Sequence, residues 1–174
     1  GPFIRDHIDV KRSMIFVVLA LIPCLLFGIY NVGLQSGVNN GSQIRGFFDI
    51  FIAGSFTVLP MYIVVFSVGG ACEALFAVVR GHEINEGFLV TGMLIPLIMP
   101  PTLPLWMLAL ATMFGIIIGK EIFGGTGFNV FNPALTARAF VFFAYPTTMS
   151  GDKVWSLDAM SGATPLLKIA STSG

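Results

Sequence analysis

Charge is what this sequence has least of. Its 174 residues carry 9 Lys+Arg and 9 Asp+Glu, 10% of the chain, where a soluble domain carries about 25%. So few ionised groups cannot make a hydrated surface. Hydrophobic residues reach 55% and include 17 Phe, more apolar side chain than one soluble core of this size buries. Lipid is the expected solvent. The formal net charge is zero and there is no basic stripe, which excludes the electrostatic footprint of a nucleic-acid binder. Cysteine is scarce too: Cys24 and Cys72 sit in apolar runs with no CxxC pair, so neither a disulfide scaffold nor a zinc site is indicated, and both read as packing thiols. His7 and His82 lie in polar clusters and read as solvated residues at the membrane interface. No Ser-His-Asp or Cys-His set and no internal repeat is legible. The chain opens on Gly1-Pro2 rather than Met, and it is read as a piece of a longer protein.

What remains is a series of apolar runs. Ser13–Val32 has no charged residue and meets the requirement of about 20 residues for a spanning helix. It is too long for a signal core of about 7 to 15 residues, and no small-residue cleavage site follows. Arg5, Lys11 and Arg12 precede it, and a positive flank keeps the N-terminus in the cytoplasm. The stretch 47–79 is too long for one perpendicular helix and must tilt, break or begin along the interface. Arg80 closes it. Residues 87–99 form a short segment stopped by Pro100-Pro101, 103–119 a full span ended by Lys120-Glu121, and 134–145 another short segment.

Short apolar segments beside Gly, Pro and Asn, alternating with full spans, are the sequence pattern of broken or re-entrant helices. Irregular backbone at membrane depth survives only where protein or a water-filled cavity covers it. The Pro100-Pro101 and Gly124-Gly125 regions are therefore candidate sites; the alternative is that both are tight external loops. If each short segment crosses, five crossings put Arg5, Lys11, Arg12, Arg80 and Lys120 inside. The polar tail 146–174 then lies outside as an aqueous loop. The expected fold is an all-α integral membrane bundle.

Few residues carry possible chemistry. Glu73 follows Gly69-Gly70 inside an apolar run, where an ionisable group is costly and is usually kept for ions, protons or polar ligands. The two glycines admit either a flat ligand or another helix, so site and packing both stay open. Glu83 and Glu86 belong to a polar connector. Asn132-Pro133 is a helix entry, Asn as cap and Pro first. Asn129 is not explained that way, and amides beside Gly124-Gly125-Thr126-Gly127 can hydrogen-bond a heterocycle. By composition alone Asp158-Ala-Met-Ser-Gly-Ala-Thr-Pro165 is a turn-rich loop.

A resemblance changes the reading of that loop. Asp158-x-x-Ser161-Gly162-Ala163-Thr164 is similar to the flavin-attachment motif whose final Thr bears FMN through a phosphoester. A Thr hydroxyl needs an activating base to act as a nucleophile and none is evident here, in keeping with a separate flavin transferase making the bond in such proteins. Six further stretches join it in register: Arg5–Arg12, Gly69-Gly70-x-x-Glu73, His82–Phe88, Pro100–Trp106, Lys120–Gly127 and Asn132–Leu135. Together they resemble the N-terminal half of the B-subunit family (NqrB) of the bacterial sodium-translocating NADH:quinone oxidoreductases. The RnfD-type subunits share the short-helix pattern and flavin motif, but Asn85-Glu86-Gly87-Phe88 and Gly124-Gly125-Thr126-Gly127 look more like NqrB.

The resemblance implies a first half of an inverted-repeat fold in the bacterial inner membrane. It implies covalent FMN on periplasmic Thr164 within Ser161–Thr164, noncovalent riboflavin near Asn129 and Asn132, and a quinone region at Gly69, Gly70 and Glu73. Electrons would arrive from the FMN of a second, FMN-bearing subunit (NqrC) and leave on quinone, coupled to Na⁺ export. No acidic cluster in the sequence resembles a Na⁺ cage. The competing readings are an RnfD-type subunit and a non-redox channel or transporter of the same architecture.

Overall fold

The computed structural model describes residues 10–39, 46–81 and 87–150, with 154 and 169. Six α-helices follow in order: α1 Val10–Asn39, α2 Phe47–Arg80, α3 Gly87–Ile98, α4 Leu105–Gly119, α5 Pro133–Ala144 and the single turn α6 Pro146–Met149; no strand occurs among the described residues. The fold is all-α. Helices α1, α2 and the α4 region are long and apolar enough to cross a membrane. Their outward faces, with that of α5, carry Phe27, Phe48, Phe56, Val78 and Phe143, all exposed, as a lipid-facing surface requires.

The chain reverses direction at every helix from α1 to α5. Gly33 of α1 lies against Ile50 of α2 and Ile29 against Gly54, so these two run antiparallel. Between α2 and α3 the pairs are Tyr62–Met93, Phe66–Gly92 and Gly69–Phe88, again antiparallel. Helix α4 runs parallel to α2, joined at Gly69–Ile116 and Glu73–Lys120. Helix α5 returns along the whole of α4: Pro133 faces Gly119, Phe140 stacks on Phe114, and the Tyr145 ring meets Trp106 at 5.6 Å. Each 12-residue helix is about 18 Å long and ends beside the middle of α2, where Pro96 and Met99 lie with Val58 and Met61, so α1 and the first part of α2 extend beyond both. One end gathers the start of α1, the end of α2, the start of α3, the end of α4 and the start of α5.

Helix α2 is continuous over 34 residues, through Pro60 and Gly69-Gly70. Its length of about 51 Å exceeds the roughly 30 Å hydrocarbon core, so it tilts or projects rather than breaking. The sequence predicts no regular structure from residue 146 onward, yet Pro146–Met149 forms one helical turn. Pro at the first position needs no N–H partner, and Met149 is buried in the core.

Small residues set the helix separations. A Cβ at Gly33 would overlap the Ile50 carbonyl, and one at Gly54 the Ile29 carbonyl. At Gly115 it would stand 2.5 Å from the Pro133 oxygen and 2.7 Å from Ala137 Cβ. Lipid tails are as apolar as the side chains, so close backbone approach supplies what hydrophobic burial supplies in water. The core so formed joins Met61 and Val65 of α2, Ile95 of α3, Leu108 and Ala111 of α4, and Ala137 and Val141 of α5.

Gly115→Ala is therefore expected to lower the thermal midpoint in detergent, at a cost of about 1–3 kcal/mol. Gly28→Ala, where nothing lies within 4 Å of the added Cβ, should leave it unchanged or raise it by up to about 1 kcal/mol through helix propensity. Circular dichroism melts of the two variants check this; equal losses would contradict the packing described.

Candidate functional site

The charges of the gathered end are arranged in pairs. Glu73 is one turn past Gly69 on the buried face of α2, and Lys120 follows the last residue of α4; the two are 5% and 3% exposed and form a salt bridge. Two turns further along, Arg80 Nη1 donates to Glu121 Oε2 at 3.1 Å, and its Nη2 donates to the Glu121 backbone carbonyl. The guanidinium also lies 5.4 Å from the Phe76 ring centre. Two cations and two carboxylates thus cancel within one cluster. An unpaired charge here would keep a desolvation penalty of several kcal/mol.

In the sequence Lys120-Glu121 marks the end of a span and opens a stretch that carries the resemblance, and nothing there pairs either residue with a partner; both are buried. The pointer to them is Glu73 itself, since an intramembrane carboxylate demands a cation. Lys120 lies 47 positions away, a separation that no local pattern reports.

Beyond Lys120 the chain makes one 3-10 turn, Glu121–Phe123, and then a loop with Gly124, Gly125 and Gly127 at φ of 121°, 94° and 94°. These values favour glycine. The loop folds back, the Gly125 N–H donating to the Lys120 carbonyl at 3.2 Å. It closes one side of a cavity of about 150 Å³ lined by Lys120, Thr126, Asn129, Thr91, Gly87 and Met14 among others. Thr91 Oγ1 donates to the Gly87 carbonyl. Thr126 Oγ1 is buried with no hydrogen-bond partner among the described residues. A buried orphan hydroxyl costs about 1–3 kcal/mol, so the cavity wall offers polar capacity that the described residues do not use.

The other predicted residues fall in three places. Asn129 is on the cavity rim, exposed; its Oδ1 accepts from the Gly127 N–H at 3.3 Å and its Nδ2 donates to the Phe131 carbonyl at 2.9 Å. Asn132 caps α5, accepting from the Ala134 and Leu135 N–H groups. Gly69 is closed by packing, because a Cβ there would stand 2.6 Å from the Phe88 ring and 2.8 Å from Ile116 Cδ1. Gly70 is more open, with only the Phe88 ring at 3.8 Å. Ser161, Gly162, Ala163 and Thr164 lie outside the described residues, as do His7, His82, Glu83 and Glu86.

Residues 1–173 match the family described as NQR2, RnfD, RnfE. The chain belongs to this family. It is 48% identical to the B subunit of the Na(+)-translocating NADH-quinone reductase of Klebsiella pneumoniae (strain 342), over 98% of this chain and 48% of that protein. It is 50% identical to the protein of that name from Stutzerimonas stutzeri (strain A1501), over 94% and 46%, and 48% identical to the one from Neisseria meningitidis serogroup B, over 96% and 47%. The chain spans about half the length of the curated relatives it matches. Within this NQR2, RnfD, RnfE family member, the cluster Glu73, Lys120, Arg80 and Glu121 and the cavity beside it make one continuous polar region at one end of an otherwise apolar bundle.

Thr126→Val should leave the thermal midpoint unchanged or raise it, because it removes a hydroxyl that no described residue satisfies. Thr112→Val, whose hydroxyl donates to the Leu108 carbonyl at 2.8 Å, should cost about 0.5–1.5 kcal/mol. Paired melts decide; a larger loss for Thr126→Val would show that its hydroxyl is bonded.

Proposed function

We propose that this chain is part of the membrane subunit of a Na⁺-translocating NADH:quinone oxidoreductase, with FMN joined to Thr164, riboflavin held noncovalently and quinone as electron acceptor. The observation that carries the reading is the match over residues 1–173 combined with Ser161-Gly162-Ala163-Thr164 at the position where the resemblance places the attachment motif. When bound, the two flavins supply electron transfer between the FMN-bearing NqrC partner and quinone; the protein's share is binding, orientation and electrostatics. Na⁺ export is coupled to that transfer in the complex.

The residues present suit riboflavin at the cavity beside Lys120. A flavin ring carries carbonyl and ring-nitrogen acceptors, and the wall offers the unpartnered Thr126 hydroxyl and the Lys120 ammonium, with the Asn129 amide at the rim. Asn132 serves the same region by fixing the start of α5, since its Oδ1 is engaged by the helix N–H groups. At the quinone region, Glu73 is oriented by Lys120 while Gly70 leaves room beside the Phe88 ring. In the inner membrane the charged end of the bundle faces the cytoplasm, supported by the gathering of Arg12, Arg80 and Lys120 there. The tail bearing Thr164 leaves from the far end of α5, on the periplasmic side.

The test is the mass of the peptide containing Thr164. Protein made in a host with the flavin transferase is expected to carry FMN mass on that peptide, and Thr164→Val to remove it together with the covalent flavin fluorescence. Unmodified Thr164 under those conditions would leave a non-redox channel or transporter as the better reading. In the assembled complex, Glu73→Gln should slow quinone reduction while NADH oxidation by an artificial acceptor persists; equal loss of both would indicate damaged assembly, and unchanged quinone reduction in an intact complex would remove Glu73 from quinone chemistry.

A further inference from the structure

Helix α5 contains one charged residue, Arg138, six residues into a 12-residue apolar helix and exposed on its surface among apolar neighbours that lipid or protein must cover. A guanidinium at such a depth is costly unless an anion neutralises it. Among the described residues none does. Glu73 and Glu121 are engaged by Lys120 and Arg80, and Asp49, the third described carboxylate, sits in the first turn of α2 and makes no ion pair with Arg138. One Arg138 nitrogen donates to the Ile98 carbonyl at the last turn of α3. That carbonyl belongs to the negative end of a helix, worth about half a charge, and it occupies one of five guanidinium N–H donors. Arg138 also lines a cavity of about 330 Å³ whose described wall includes Leu97, Ile98, Met99, Leu135 and Val154.

Among the described residues this cavity has one cation on an apolar wall, which suits a phosphate ester: oxygens on the guanidinium fork, organic part against the leucines. Arg pairs with phosphate through two parallel N–H···O bonds. Val154, a described tail residue on the wall, precedes Thr164 by ten positions, and ten extended residues reach about 33 Å. An FMN phosphate esterified to Thr164 is a diester with one negative charge, which balances one Arg. We infer that Arg138 binds the phosphodiester of the flavin carried on Thr164, in the cavity between α3, α5 and Val154. This rests on the reading of Thr164 given above. Arg138 is then a positioning residue: it fixes where the tethered flavin sits.

The experiment uses the assembled complex from a host with the flavin transferase. The Thr164 peptide is weighed first, and absence of FMN there defeats the attachment reading rather than this one. Arg138 is then footprinted with phenylglyoxal, which modifies free guanidinium groups, in the wild type and in Thr164→Val. Protection in the wild type with strong modification in Thr164→Val is the expected result. Equal modification in both overturns the assignment. Equal protection in both, lost on exhaustive delipidation, also overturns it and assigns the cavity to a phospholipid headgroup. In parallel, Arg138→Gln should lower the fluorescence anisotropy of the covalent flavin and expose it to iodide quenching, with Arg138→Lys retaining most of the wild-type signal. Unchanged anisotropy and quenching in Arg138→Gln would contradict the contact.

Discussion

The bundle depends on the neutralisation of charge where water is excluded. Glu73 and Lys120 are both almost fully buried, and each is tolerable only because the other is there. Their pairing fixes the axial register of α2 against α4. A slip of one turn, about 5.4 Å, would separate the pair and displace Gly69 from the Phe88 and Ile116 side chains that fill its place. The Arg80–Glu121 bridge lies further along the same two segments, so the register is held twice.

From that register the site follows. Lys120 ends α4 where α2 still provides Glu73, and the backbone immediately turns through the three left-handed glycines into the cavity loop. The loop brings Thr126 against Gly87, where a Cβ would stand 2.7 Å from the Thr126 methyl, and so ties the start of α3 to the end of α4. The Asn132 cap then starts α5 beside Gly119. Charged cluster, cavity and cap are consecutive consequences of one short stretch, Lys120–Pro133, held at one end by a salt bridge and at the other by α4–α5 packing.

Much of the fold is legible in the sequence because lipid makes strong demands on composition. Apolar runs and their punctuation locate most helices to within a few residues, 87–99 being expected and Gly87–Ile98 found, whereas α1, expected over 13–32, runs through the expected connector to Asn39. The Asn132 cap is readable because capping is local. Partners distant in the chain are not. Nothing near Glu73 names Lys120, and Gly69-Gly70 cannot by itself reveal that one glycine is closed by Phe88 and the other open. The continuity of α2 through Pro60 is equally hidden, since a proline in lipid is accommodated by neighbours rather than by its own sequence. Thr126 and Arg138 give no signal for a related reason: a hydroxyl and a guanidinium that lack a hydrogen-bonding or anionic partner among the described residues are visible only once the surroundings are known.

The claim that one buried pair sets the register is tested most directly by a double-mutant cycle on Glu73→Gln and Lys120→Met, read as thermal or denaturant stability in detergent. Each single variant strands its partner's charge and should cost roughly 3–5 kcal/mol. The double variant strands neither and should be more stable than either single one, with a coupling of at least about 3 kcal/mol. Losses that simply add would contradict the account, because Glu73 and Lys120 would then be stabilised independently of each other.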